Sequence, residues 1–207
     1  MAVSTQAAAR WPVLLIEHGQ TRFDRQGRVH GLLDPPLSAK GREQAARLGL
    51  KLAGMAQPPT RLHSSDRRRA QETARLAGTI AGIPVTVTPA LRPLDVGIWS
   101  GGDEHGVARR LEPYFDNPRR RIPGGDRVAE WRARHVEYVR ALAARARETR
   151  ERPALVTHSN VIGSLAAPHD GHGGRAALAH PPRAGEVRRV HIPISVTQER
   201  NSHALDV

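Results

Sequence analysis

The sequence contains no cysteine, which excludes disulfide bonds and thiolate-held metal ions. It also contains no apolar run near the roughly 20 residues that a membrane-spanning helix requires, so a membrane is not an expected partner. The first residues, "MAVSTQAAAR", have neither the early positive charge nor the apolar stretch of a secretory signal. We therefore predict a cytoplasmic protein with a frayed start over residues 1–10.

Aromatic residues are also scarce, at 3% of the chain, and Lys40 and Lys51 are the only lysines. The net charge of +12 therefore comes almost entirely from arginine, whose planar guanidinium binds phosphate in a bidentate manner. Such a surface attracts phosphorylated anions, although arginines that only decorate solvated helix faces would give the same charge. With few aromatic platforms for stacking bases, nucleic acid is not an expected partner.

The length of 207 residues, with 39% hydrophobic and 25% charged residues, predicts a single globular domain over residues 1–207. Short apolar runs, typical of buried strands, alternate with segments of helical periodicity that begin after the caps Ser38 and Asp66. This alternation predicts an α/β fold with a largely parallel sheet covered on both faces. The predicted strands cover 11–16, 60–65, 83–88, 153–157 and 186–194, and the predicted helices cover 39–55, 67–82, 107–115, 126–152 and 159–167.

Chemically active residues follow three of the predicted strands. Histidines end "LLIEHG" and "LVTHSN", and the second strand continues into "HSSDRRRA". In parallel sheets the ligand crevice lies beyond the carboxyl ends of the strands. We therefore expect His18, Arg69 and His158 to converge although they are far apart in the sequence.

Six motifs in order extend this pattern along the chain: "EHGQT", "GLLDPPLSAKGREQA", "SSDRRRAQETA", "LRPLDVGIWSG", "IPGGD" and "VTHSNVI". With them, the chain from about Val13 to Leu165 resembles the histidine phosphatase superfamily, the phosphoglycerate mutase-like proteins. The resemblance implies a three-layer α/β/α sandwich with a mostly parallel central sheet. It also implies an enzyme without a metal or other cofactor, in which a histidine accepts a phosphoryl group and passes it to water or another acceptor.

The resemblance implies that His18 is the nucleophile, that Arg69 clamps the phosphoryl oxygens and that His158 is the second histidine of the pocket. An attacking imidazole nitrogen must be unprotonated, so its other nitrogen has to be held as a donor, usually to a backbone carbonyl. Phosphoryl transfer also needs cationic and N–H donors around the three oxygens. We expect loop N–H groups at Gln20 and Thr21 to supply further donors for phosphate.

Three positions depart from the family pattern. Glu17 stands where the family has arginine, Asp24 where asparagine is usual, and Pro93 where a glutamate acts as general acid. Proline cannot transfer a proton, and a carboxylate beside phosphate replaces attraction by repulsion. Glu17 is further expected to raise the pKa of His18 and to favour the imidazolium form, which cannot attack.

Two arrangements would relieve the unfavourable charge at Glu17. Its side chain could point away from the pocket, because adjacent strand residues alternate between faces. Alternatively, Arg22 or Arg28 of the same loop could compensate.

The missing proton donor has three candidates in the segment that matches the acid-bearing loop of the family, namely Asp95, Glu104 and His105. Asp95 is the first choice because "LRPLDVG" resembles some branches of the family. A carboxylate that only stabilises a turn is the other interpretation of Asp95.

The leading hypothesis is a phosphohydrolase that acts on a phosphorylated small molecule through a phosphohistidine at His18. The short segment Gly101 to Pro123 leaves little room for the longer insertion of the mutases, which favours hydrolysis. The alternative is a catalytically weakened member that binds a phosphorylated ligand or partner without turnover, as Glu17 and Pro93 suggest. The sequence does not name the substrate.

Two further interpretations are weaker. His169, Asp170 and His172 in "PHDGHGG" could hold a metal ion, although this spacing in a glycine-rich loop is not specific. The basic run "NPRRRIPGG" could contact nucleic acid. Apolar helix stripes are compatible with a core or with a homodimer interface.

Overall fold

The computed structural model describes residues 9–166 and 183–194. Most of the predicted frayed start and the metal-site candidates His169, Asp170 and His172 lie outside these ranges. Arg10 already belongs to the first strand, so the predicted frayed start is wrong for that residue.

A five-stranded sheet with strand order β3-β2-β4-β1-β5 forms the centre of the fold. Strands β1 to β4 are parallel to one another, and the edge strand β5 is antiparallel to β1. The expected mostly parallel sheet is confirmed. The strands are β1 (Arg10–Glu17), β2 (Arg61–Ser65), β3 (Val85–Thr88), β4 (Pro153–Thr157) and β5 (Val187–Pro193).

The described residues include six α-helices between the strands. The long ones occur where the sequence shows apolar periodicity, and Ser38 caps the first of them by accepting the N–H of Gly41 at 3.0 Å. The helices are α1 (Arg22–Arg25), α2 (Ala39–Ala53), α3 (Arg68–Ala81), α4 (Glu104–Asp116), α5 (Val128–Thr149) and α6 (Ser159–Ala166).

Strand β1 sends alternate side chains into two separate cores. Val13 and Leu15 pack with residues of α4, α5 and α6. Ile16 packs on the opposite face with residues of α2 and α3, because successive strand residues point to opposite faces. The layers are therefore helices, sheet and helices, which confirms the three-layer α/β/α sandwich.

The beginning of α3 differs from the sequence prediction. Asp66 does not cap this helix; its carboxylate accepts the Nε–H of Arg92 at 2.9 Å. The N–H of Arg68 is instead accepted by Asp34 of a distant loop, at 2.8 Å. The prediction failed because both partners are remote in sequence and compete with the local cap.

Helix α4 is longer than the short helix predicted for this segment. It begins after Asp103, whose Oδ1 accepts the N–H of Gly106 at 2.9 Å. This cap adds a turn before Val107, where the apolar pattern starts. None of the helices in residues 9–166 and 183–194 is long and apolar enough to cross a bilayer.

Candidate active site

The carboxyl ends of β1 and β4 bring two histidines together. Glu17 and Thr157 are paired across the two strands, and His18 and His158 are the next residues of each. The backbone N–H of His18 donates to Thr157 O at 3.2 Å, and the two imidazole ring centres are 5.2 Å apart. The register of β1 and β4 therefore places both imidazole rings at the carboxyl ends of these two parallel strands.

Both ring nitrogens of His18 have defined partners. Nδ1 lies 2.9 Å from Gly19 O, which can only accept, so Nδ1 carries the proton. Arg69 donates its Nε–H to the unprotonated Nε2 at 3.1 Å. Burial, and next the charge of Arg69, lower the pKa of His18 to about 3, so the ring is neutral. The expectation that Glu17 raises the pKa of His18 is wrong.

Close backbone packing fixes the turn that carries Gly19. A Cβ on Gly19 would lie 2.5 Å from Gly41 O, and a Cβ on Gly41 would lie 2.1 Å from Gln20 O. Only glycine permits these approaches between the turn and the first turn of α2. The acceptor of the His18 proton is therefore held in place by main-chain contacts.

Arg69 is a buried cation whose guanidinium is held by a loop. Its side chain is 1% exposed. Nη1 donates to Leu33 O at 3.0 Å and lies 3.5 Å from Asp34 Oδ1. Nη2 donates to Gly31 O at 3.5 Å. Burial lowers the pKa of Arg69 to about 10, so it stays charged at neutral pH. The structure thus brings His18, Arg69 and His158 into one pocket.

His158 has one paired and one unpaired nitrogen. Nε2 lies 2.9 Å from Ser65 Oγ, at the end of β2. Nδ1 is buried and has no hydrogen-bond partner within residues 9–166 and 183–194. Burial, followed by the charge of Arg69, lowers the pKa of His158 well below its ordinary value. His158 is therefore a second neutral imidazole.

Glu17 faces this pocket, so the sequence alternative in which it points away is wrong. Its Oε1 lies 3.3 Å from His18 Nε2, and its Oε2 is buried and has no hydrogen-bond partner among the residues that the structure describes. Burial, and next Asp24, raise the pKa of Glu17 well above its ordinary value, against the opposing effect of Arg69. The lone pair of His18 Nε2 already accepts the Nε–H of Arg69, so a carboxylate oxygen at this distance would repel it, and a protonated carboxyl removes that repulsion.

Arg22 and Arg28 lie against Phe23. Their guanidinium carbons are 5.4 and 4.6 Å from the centre of its ring. Arg28 also donates Nε–H to Gly101 O at 2.6 Å. Within residues 9–166 and 183–194, no hydrogen bond or ion pair joins either arginine to Glu17. The predicted compensation by these residues is not seen.

His30 is a pocket residue that the sequence did not reveal. Its ring centre lies 5.7 Å from that of His18, and its Nε2 lies 2.7 Å from Thr21 Oγ1. Burial, followed by the charge of Arg69, lowers the pKa of His30 to about 3. His30 lies in a loop far from any strand end, so only its place between the motifs "EHGQT" and "GLLDPPLS" could have pointed to it.

The backbone donors expected at Gln20 and Thr21 are already occupied. Gln20 N–H donates to Gln44 Oε1 at 2.9 Å. Thr21 N–H donates to Asp24 Oδ2 at 2.6 Å, within the capping box of α1. In this structure both N–H groups thus have protein partners, phosphate binding at Gln20 and Thr21 stays a prediction, and Asp24 has a structural contact.

The carboxylate of Asp95 stabilises a turn. Its Oδ1 accepts Gly97 N–H at 2.9 Å, and its own N–H donates to Asp126 Oδ2 at 3.1 Å. Neighbouring Pro93 is buried. No hydrogen bond or ion pair among the described residues links Asp95 to His18. This geometry matches the turn interpretation of Asp95.

The other two proton-donor candidates, Glu104 and His105, are exposed at the beginning of α4. Within the described parts of the chain, no group of three or more His, Asp or Glu residues is placed to hold a metal ion. The fold and this pocket together define an α/β protein with a buried, neutral imidazole at the carboxyl end of a strand. Phosphoryl transfer to histidine requires a neutral imidazole of this kind.

Comparison with known proteins agrees with this class. The model of the histidine phosphatase superfamily (branch 1) matches residues 13–191. The chain belongs to this superfamily. It is 32% identical over 162 residues to the probable phosphoglycerate mutase GpmB of Salmonella paratyphi C, and the match covers 74% of this chain and 72% of the relative.

Solved structures of similar fold include phosphatases. A mycobacterial glucosyl-3-phosphoglycerate phosphatase, described in complex with VO3, superposes with a TM-score of 0.69 at 25% identity, over 86% of this chain and 92% of the other. A putative alpha-ribazole-5'-P phosphatase from Escherichia coli K-12 gives a TM-score of 0.68 at 27% identity, over 88% and 90%. The chain therefore has the fold of phosphatases and mutases.

Proposed function

We propose that this protein is a phosphohydrolase that acts on a phosphorylated small molecule through a phosphohistidine at Nε2 of His18. The observation that carries the proposal is the 2.9 Å contact between Nδ1 of His18 and Gly19 O, which holds the proton on Nδ1 and leaves Nε2 unprotonated. Burial supports the neutral ring because it lowers the pKa of His18 to about 3.

The reaction proceeds in two transfers. Nε2 of His18 bonds to phosphorus while the bond to the leaving oxygen breaks, and the leaving oxygen keeps the electron pair and takes up a proton from solvent. Water then attacks phosphorus and gives up a proton to solvent, the N–P bond breaks, its electron pair returns to Nε2, and inorganic phosphate departs. Arg69 turns its Nε–H from Nε2 to a phosphoryl oxygen, where it stabilises the spreading negative charge.

His158 contributes a neutral hydrogen-bond donor. Ser65 Oγ accepts the N–H of Arg67 at 3.3 Å and has its own proton to donate to Nε2 of His158. The imidazole proton then resides on Nδ1, which is buried and lacks a partner in the described part of the chain. A phosphoryl oxygen in the pocket would satisfy that donor.

Glu17 in its acid form is compatible with this reaction. A protonated carboxyl can donate to a phosphoryl oxygen, whereas a carboxylate repels it. At about 4 Å the repulsion between unit charges is about 4 kcal/mol at an effective dielectric near 20. The raised pKa of Glu17 therefore favours phosphate binding at the 3.3 Å contact with His18.

The names of the relatives support phosphate monoesters of small hydroxyl compounds as the substrate class. A probable phosphoglycerate mutase, a glucosyl-3-phosphoglycerate phosphatase and a putative alpha-ribazole-5'-P phosphatase are among the similar proteins. Hydrolysis is favoured over mutase activity because residues 101–123 form only a turn, α4 and the residues that follow it.

The test is hydrolysis of para-nitrophenyl phosphate by the wild type and by His18→Ala, with the exposed His191→Ala as the matched control. We expect His18→Ala to abolish hydrolysis and His191→Ala to retain it. Acid-labile, base-stable labelling from a radiolabelled substrate in the wild type alone would identify the phosphohistidine. Full hydrolysis by His18→Ala would refute the nucleophile.

A second candidate function is binding of a phosphorylated ligand without turnover. It is favoured by the two groups already at Nε2 of His18, the Nε–H of Arg69 and the carboxyl of Glu17. In that case vanadate or inorganic phosphate binds and no substrate is hydrolysed at any pH. Glu17→Arg, which replaces the carboxyl by a cation, should then tighten phosphate binding.

A further inference from the structure

A cavity of about 490 Å³ lies at the amino-terminal ends of β1 and β4, opposite to the ends that carry the histidines. Trp11 at the beginning of β1 and Pro153 at the beginning of β4 line it, whereas His18 and His158 follow the other ends of the same strands. The cavity is therefore separated from the candidate active site by the length of the strands. Its volume lies within the range of about 300 to 1,000 Å³ that is usual for small-molecule sites.

Four arginines line this cavity, and none of the described residues that line it is acidic. The four are Arg147, Arg150, Arg152 and Arg189. Within residues 9–166 and 183–194, no hydrogen bond or ion pair engages the guanidinium of Arg147, Arg150 or Arg189. Guanidinium groups gathered in a concave site without an ion-pair partner among the described residues attract an anion, and arginine favours phosphate oxygens. We call this site the arginine pocket.

Arg150 adopts an unusual backbone conformation at this site. It ends α5 with φ of 57° and is the one non-glycine residue of the described chain with positive φ. Glycine is the common residue at such a position, because a Cβ in the left-handed region costs about 1 to 2 kcal/mol. Strained residues concentrate at binding sites, so an arginine here indicates a use for its side chain.

The remaining walls of the arginine pocket are largely apolar. They include Trp11, Pro12 and Pro59. The indole of Trp11 is held in place because its Nε1–H donates to Glu151 O at 3.1 Å. Arg152 is also fixed, through donation from its Nε to Pro58 O at 2.7 Å. A fixed aromatic ring beside guanidinium groups suits a ligand with a flat apolar part and phosphate groups.

We propose that the arginine pocket binds a nucleoside diphosphate or a ligand of the same chemistry, with its phosphates on Arg147, Arg150 and Arg189 and its flat ring against Trp11. The site is independent of the pocket around His18 and does not require hydrolysis there.

The experiment is calorimetric titration of the full chain with ADP, and in parallel with pyrophosphate and adenosine. The test variant is Arg147→Gln/Arg189→Gln, in which both changed side chains are exposed in the structure. The matched control is Arg109→Gln/Arg140→Gln, which removes the same charge from exposed helix positions outside the pocket. His18→Ala tests independence from the candidate active site, and circular dichroism confirms folding of every variant.

We expect ADP to bind the wild type, the control and His18→Ala with similar affinity, and the test variant to bind roughly tenfold or more weakly. Trp11→Leu should weaken binding of ADP more than binding of pyrophosphate. The proposal is overturned if ADP does not bind at physiological salt, or if the test and control variants lose affinity equally. It is also overturned if His18→Ala abolishes binding.

Discussion

Oε1 of Glu17 lies 3.3 Å from Nε2 of His18, the nitrogen that the proposed reaction uses. The two side chains belong to adjacent residues, yet both reach the pocket because His18 lies just beyond the end of β1. The protonation state of one carboxyl therefore decides whether phosphate meets a donor or a negative charge at this nitrogen.

Hydrolysis by the wild type should fall as pH rises through the raised pKa of Glu17, because the ionised carboxyl repels phosphate. His18 stays neutral over this range, since its pKa is about 3. Glu17→Gln keeps a donor and cannot ionise, so its alkaline decline should disappear, with kcat/KM roughly tenfold above wild type at high pH. The measurement is kcat/KM against pH.

The control for this profile is Glu186→Gln. Glu186 is one of the charged groups that act on Glu17, together with Asp24 and Arg69. Glu186 is partly exposed and pairs with Arg188. Its variant should keep the alkaline decline. An unchanged pH profile in Glu17→Gln would show that Glu17 does not control phosphate binding.

Gly41→Ala should unfold more easily and hydrolyse more slowly than the wild type. The new Cβ would lie 2.1 Å from Gln20 O, so the turn behind His18 has to move. We expect a loss of about 1 to 3 kcal/mol in the free energy of unfolding. Gly54→Ala, at the C-cap of the same helix, is the control, because the nearest contact of its new Cβ is 3.5 Å. Equal stability and activity of the two variants would contradict the packing argument.

Buried neutral histidines should make the fold sensitive to acid. Burial is the main cause that lowers the pKa of His18, His30 and His135 to about 3, and that of His63 to about 4. The unfolded chain takes up these protons near pH 6.5, so the stabilisation is complete above about 6.5 and is lost as pH falls toward 3. Urea unfolding at a series of pH values measures the slope.

His135→Gln should reduce that slope, since it removes one titrating group whose ring is buried beside Ser164. A free energy of unfolding that is constant between about pH 6.5 and pH 4.5 would exclude this origin of acid sensitivity.

Asp95→Asn should leave hydrolysis nearly unchanged. Asparagine retains the oxygen that accepts Gly97 N–H, so the turn is preserved while the acidic group is lost. The informative substrate is an alkyl phosphate, whose leaving oxygen needs a proton, whereas para-nitrophenolate leaves without one. A decrease of about a hundredfold restricted to the alkyl substrate would make Asp95 the general acid after all.

The sequence predicted those parts of the site that depend on strand order. His18, Arg69 and His158 follow buried strands, so apolar runs and the rule for carboxyl ends sufficed to bring them together. The orientation of Glu17 was not predictable, because the strand ends there and strict alternation no longer applies. His30 was missed because its position depends on the loop whose carbonyl groups accept hydrogen bonds from Arg69. One of these bonds joins Arg69 to Leu33, which lies 36 residues away in the sequence.

Competing partners account for the error at Asp66 and for the occupied donor at Thr21. Asp66 would cap α3 by local rules, but Arg92 is a stronger, charged partner. Thr21 N–H was assigned to phosphate, yet the local capping box with Asp24 satisfies it. In both cases one donor or acceptor has two plausible partners, and the sequence does not rank them.

The pairing of Glu17 with Thr157 places the two pocket histidines on neighbouring strands of one continuous sheet. A slip of this pair by a single residue would turn every side chain of β1 to the opposite layer and expose Leu15 and Ile16 to the wrong core. Because such a slip would disrupt both hydrophobic cores, the packing of the cores fixes the distance between the two imidazoles. A substitution at Glu17 therefore changes the charge beside Nε2 of His18 while the spacing of the two rings stays the same.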